Sequence, residues 1–112
     1  MSDCNVKDLT QWVTDSADDL KGKDIKVLDV NGKATFTDVM VFITGTSTRH
    51  VKSIAQTIAE KAKKEGCQAL GVEGEADADW VLVDLGDVVA HVMTAQGREF
   101  YQLEELWSAI EA

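Results

Sequence analysis

Proline is absent from this chain of 112 residues. Its absence excludes PxxP recognition segments and stiff proline-rich linkers. Aromatic residues are scarce, 6% of the chain with only three Phe, so there is little material for stacking a run of nucleotide bases. Basic residues are also in short supply: 11 Lys and Arg stand against 20 Asp and Glu, a formal net charge of -9. The deficit deepens toward the C-terminus. From Gln68 onward a single basic residue, Arg98, faces ten acidic ones. Such a surface repels phosphate backbones and attracts basic partners, so little direct nucleic-acid binding is expected, and duplex binding is not expected as the main activity.

Two cysteines, Cys4 and Cys67, follow no CxxC spacing; counting leaves one disulfide open, and free thiols in a reducing compartment are the expectation. No apolar run approaches the roughly 18 residues of a membrane helix. The N-terminal MSDCNVKDL has neither a basic start nor an apolar core, so no signal peptide is expected. Together these point to a cytoplasmic protein, with no membrane contact.

The length suits one domain over residues 1–112. Val6, Leu9, Trp12, Val13, Ala17 and Leu20 recur at helical spacing, with Asn5 or Ser2 as candidate cap. KDIKVLDV reads as a strand, Asn31-Gly32 as a turn, and the dense apolar run Val39 to Ile43 as a central strand covered on both faces. The turn predicts an antiparallel hairpin. Val51, Ile54, Ala55, Ile58, Ala59 and Ala62 mark a second helix, capped by Ser47 or Thr46 and ended near Gly66. Residues 67–79 read as a loop, or as a short strand and loop. Trp80 to Leu85 and Val88 to Met93 read as strands, and Gln96 to Ile110 as a last helix with Phe100, Leu103, Leu106, Trp107 and Ile110 buried. The predicted order is α-β-β-α-β-β-α, an α/β (α+β) fold with a four- or five-stranded sheet covered by helices.

Three groups invite a chemical reading. The stretch GTSTRH joins a strand to a helix N-terminus but lacks GxxxxGK[ST], so it reads as a helix cap rather than a phosphate loop. Asp29 and Asp38 fall on adjacent predicted strands and would suit a metal-dependent nucleotidyltransferase if they met beside an open pocket. His91 is a candidate base, with Asp84 and Asp87 as candidate orienting groups. No nucleophile lies near it in sequence, and the two histidines, His50 and His91, show no ligand spacing. No metal or other cofactor is therefore expected. The remaining reading is a docking face, with Trp80 as anchor among acids that steer a basic protein. On the residues alone, that reading and a buried Trp80 ringed by solvating acids both stay open.

Four segments in order carry a resemblance: DIKVLDV at 24–30, TDVMVFITGTSTRHVKSIA at 37–55, GVEGEADADWVLVDLGDVVAHVM at 71–93 and REFYQLEELW at 98–107. The chain resembles the ribosomal silencing factor, or Iojap-like, family over roughly residues 6–108. The resemblance implies an α/β domain of nucleotidyltransferase-like topology without enzymatic activity. It implies binding to protein uL14 of the large ribosomal subunit, a steric block to subunit joining and repression of translation under nutrient limitation. Family members can form homodimers, so a homodimeric scaffold is a further alternative. The family pattern falls on Glu73, Gly74, Ala78, Asp79, Trp80, Asp84, Gly86, Asp87, His91 and Met93. The resemblance makes Trp80 and Met93 apolar anchors, Glu73, Asp84 and Asp87 acidic contacts, and His91 an interface or bracing residue. The short termini suggest a bacterial type of member.

Overall fold

A computed structural model describes residues 5–30, 37–67, 69–74 and 79–101. The elements are α1 (Val6–Asp19), β1 (Lys23–Asp29), β2 (Val39–Gly45), α2 (Thr48–Lys64), β3 (Gly71–Glu73), β4 (Trp80–Asp84), β5 (Val88–Thr94) and α3 (Ala95–Tyr101). The order departs from expectation by one short strand, β3, on the segment left between loop and strand. The Asn31-Gly32 turn and the predicted last helix beyond Tyr101 lie outside the described residues.

The five strands form one mixed sheet in the order β1-β2-β5-β4-β3. β1 and β2 pair antiparallel as expected, while β2 and β5 run parallel. Parallel neighbours need a crossover, and the segment through α2, β3 and β4 supplies it. β2 is therefore central, flanked by β1 and β5, and all seven of its residues are buried. This matches the unbroken apolar run that its sequence shows.

Strand alternation sorts the sheet into two faces. Val39, Val41 and Ile43 of β2, Val81 and Val83 of β4, and Val88, Ala90 and Val92 of β5 face α1 and α2 and pack with Leu9, Val13, Ile54 and Ile58. The alternate residues Met40, Phe42 and Met93 join Leu28 and Val30 in a second, smaller cluster, with Trp80 packed against it. The candidate residues belong to this second face.

Side-chain caps fix where both long helices start. Asn5 accepts from the Asp8 N–H at 2.8 Å, and Ser47 accepts from the His50 N–H at 3.1 Å. Each bond satisfies one of the amides a helix start leaves unpaired. Ser47→Ala should lower stability by about 1 kcal/mol in urea unfolding, with an unchanged denaturant slope. An effect within error would mean that water caps α2 equally well. At the other end of α2, Gly66 takes φ 86, the left-handed turn expected of it.

Cys67 requires a correction. Expected as a free thiol, it is disulfide-bonded, and Cys4 lies outside the described residues. Residue counting carries no information on whether two cysteines approach to bonding distance. The turn at Gly66 folds Cys67 back under α2, where its N–H reaches the Ala62 carbonyl at 2.7 Å and 7% of the residue stays exposed.

Candidate functional site: one sheet face with a buried aromatic stack

Register brings most of the candidate residues to one face. Trp80 sits opposite Met93, Leu82 opposite His91, and Asp84 opposite Val89. Glu73 of β3 sits opposite Leu82. Pleating thus places Glu73, Trp80, Asp84, His91 and Met93 on the same side of the sheet. They do not form one tight cluster. Trp80 and Asp84 are four positions apart on β4, roughly 13 Å along the strand. Asp87 lies in the turn between β4 and β5, beyond the Asp84 end.

Depth divides them. Met93 is fully buried and His91 is 5% exposed, whereas Trp80 and Asp84 are partly exposed and Glu73 and Asp87 are exposed. Met93, expected as an apolar anchor, therefore packs beneath the face with Phe42 and Met40. Of the candidate residues, Trp80 and the acids are the ones that reach the surface.

His91 lies between two rings. Phe42 stacks on it with centroids 4.9 Å apart and planes 12° apart. Trp80 stacks on the other side at 5.9 Å and 28°, and its indole Nε1–H donates to His91 Nδ1 at 3.0 Å. Because Nδ1 accepts, the proton of the neutral ring sits on Nε2. That Nε2 is buried and has no hydrogen-bond partner. Burial lowers the His91 pKa from its ordinary 6.5 to about 4. His91 is thus a neutral structural ring. Its orienting group is Trp80, not Asp84 or Asp87, and a buried Nε2 offers no substrate the reach that general-base chemistry needs.

The acids have backbone duties as well. Asp84 Oδ1 accepts from the Gly86 N–H at 2.9 Å, bracing the turn into β5. Gly86 adopts φ 90 there, a conformation that side chains resist. The Asp87 carbonyl accepts from the N–H groups of Asp38 and Val39 at 3.0 and 3.1 Å, which starts the parallel pairing of β2 with β5. Asp38, partly exposed, thereby joins the acidic end of the sheet.

Asp29 and Asp38 do not converge. Asp29 stands opposite Val39, and the Val30 N–H bonds the Asp38 carbonyl. These adjacent cross-strand positions alternate in direction, so pleating sends the two side chains to opposite faces. Among the described residues, no group of three or more His, Cys, Asp or Glu is placed to hold a metal ion. The GTSTRH stretch is a cap, as expected: besides the Ser47 bond, His50 Nδ1 accepts from the Thr46 N–H at 2.9 Å.

Two bracing residues had little signal in the sequence. His50 Nε2 bonds the Leu20 carbonyl at 2.6 Å, tying the end of α1 to the start of α2. Arg98 bonds Thr44 Oγ1 at 2.7 Å and the Asp24 carbonyl at 2.6 Å, tying α3 to β1 and β2. Both contacts span distant parts of the chain, which local spacing does not reveal. A lone basic residue in the acidic half was the one available hint for Arg98.

Among the described residues, an aromatic stack under an acidic rim sits on one face of a mixed α+β domain. The chain belongs to the family "Ribosomal silencing factor during starvation", whose sequence pattern it matches over residues 4–112. It is 44% identical over 100 residues to ribosomal silencing factor RsfS of Haemophilus influenzae, covering 89% of this chain and 98% of that one. It is 38% identical to RsfS of Chromobacterium violaceum, over 91% of this chain and 84% of that one. A crystal structure of a Chromobacterium violaceum protein superposes with a TM-score of 0.90 at 38% identity, over 93% of this chain and 87% of that one.

Proposed function

We propose that this chain, acting as one domain, binds the large ribosomal subunit through its protein uL14. In that position it keeps the small subunit from joining and represses translation when nutrients are limiting. The observation that carries the reading is the division of one sheet face by depth. Trp80, Asp84, Glu73 and Asp87 reach solvent, while Phe42, His91 and Met93 form a rigid floor beneath. A rigid floor lowers the ordering cost of binding, and the acids complement a basic ribosomal protein. Family membership supplies the ribosome as target. The action is steric and asks nothing of the chain chemically, in keeping with the relatives' naming as silencing factors. A cytoplasmic location follows from that role.

The test is co-sedimentation with isolated large subunits, followed by a subunit-joining assay at saturating protein. Normal joining together with no binding to isolated uL14 would reject the reading. Asp87 is the cleanest residue to probe, since its side chain is exposed and its structural bonds run through its backbone. Asp87→Lys should weaken binding to large subunits by roughly tenfold at low salt and flatten the salt dependence. Unchanged affinity at every salt concentration would remove Asp87 from the interface.

A further inference from the structure

β3 closes one edge of the sheet, and among the described residues no strand lies outside it. An edge strand keeps unpaired N–H and C=O groups on its free side, and proteins usually blunt such edges with Lys, Pro or a bulge. The opposite edge follows that rule. β1 carries Lys23 and Lys26, and its register shifts between them. β3 has no Lys, Pro or bulge: it is a short strand of Gly71, Val72 and Glu73, and its one charge is acidic.

A groove runs beside this edge. A cavity of about 270 Å³ is lined by Ala59, Glu60 and Lys63 of α2 and by Ala69, Gly71 and Val72. Nothing lies within 4 Å of the position a Gly71 Cβ would take. Just before β3, Leu70 is 76% exposed. A single exposed leucine means little alone. This one is held in place, because its N–H bonds the Asp84 carbonyl at 2.7 Å. Its Cδ1 lies 3.8 Å from the Cβ position of Gly86, in the acidic turn. Leu70, between the groove residues Ala69 and Gly71 in the chain, thus lies beside the acidic turn at the sheet edge.

We propose that the β3 edge accepts one more strand, an extended segment of a basic protein in which apolar and basic residues alternate. Successive side chains of an added strand point to opposite faces. One set enters the α2 groove over Ala59, Ala69 and Val72. The other set passes over Glu73 and Asp84, which share the opposite face, and toward Leu70. The partner's positive charge rests on the docking reading above; the edge and the groove add the backbone conformation in which it binds.

The test uses a short peptide of alternating valine and lysine. Amide NMR shifts of the full chain are followed, and the peptide then competes with large subunits for the chain. Shifts centred on residues 69–73 are expected, together with displacement of the large subunit. N-methylation of alternate peptide amides should weaken binding at least about tenfold, because a methylated amide cannot donate to the edge. A valine–glutamate peptide should fail to bind, and Glu73→Lys should weaken the lysine peptide. Equal binding of the methylated peptide, or shifts confined to other residues, would overturn strand addition. If the chain binds large subunits but the peptide never reaches β3, this inference falls and the ribosomal reading stands. If the peptide pairs with β3 but the chain ignores large subunits, the ribosomal reading falls and the strand-addition site stands.

Discussion

Acidification should destabilise this protein by about 3 kcal/mol through His91 alone, the value that follows from a pKa lowered from 6.5 to about 4. Above pH 6.5 the ring is neutral in both folded and unfolded chains and contributes no pH dependence. As the pH falls below 6.5, the unfolded chain binds a proton that the folded chain refuses. Unfolding is then favoured progressively, and the loss is complete once the pH passes below about 4. Two physical causes act in the same direction. Burial penalises the charged ring, and protonating Nδ1 sets a second donor against the Trp80 indole N–H, which already donates there. Urea unfolding from neutral pH down to pH 4 should show the decline. His91→Phe keeps a flat ring between Phe42 and Trp80 and removes the proton. That variant should lose most of the slope in this interval, leaving only what the carboxylates contribute. An equal slope in both proteins would show that His91 is not the titrating group.

The same geometry explains how far the sequence could be read. The alternation in WVLVD and the unbroken VMVFI announce their sheet positions, because side-chain period and burial on both faces are local properties. The caps at Asn5 and Ser47 were legible for the same reason. β3 was legible only as one of two readings, since Gly71, Val72 and Glu73 sit beside acids and glycines and carry no period of their own. The gathering of Glu73, Trp80 and Asp84 on one face follows from β4 alternation plus a short antiparallel neighbour. The depth of each residue does not. His91 and Met93 are buried because β5 lies between β2 and β4, and strand order is a long-range fact. The separation of Asp29 from Asp38 likewise depends on a register of one residue, and a slip by one would have reversed it. Cys67 shows the same limit for covalent pairing.

Trp80 decides between anchor and floor, and its substitution carries the second large effect. Trp80→Ala removes a ring stacked on His91, leaves the buried Nδ1 without its donor and opens space beside Phe42 and Met93. The expected loss is about 3 kcal/mol, near the low end for large aromatics because part of the indole is exposed. Trp80→Phe retains a ring and loses only the N–H, so about 1 kcal/mol is expected from the missing hydrogen bond. A double-mutant cycle of Trp80→Phe with His91→Phe should give a coupling of at least about 0.5 kcal/mol, since each change removes one half of the same bond. Additive effects would dissolve the Trp80–His91 pair as an energetic unit. The functional question is then answered at a temperature where Trp80→Phe is fully folded. If the indole touches the partner, affinity for large subunits drops although the fold is intact. If the variant binds like the parent, Trp80 belongs to the floor with His91, and the acids with the β3 edge are left to hold the ribosome.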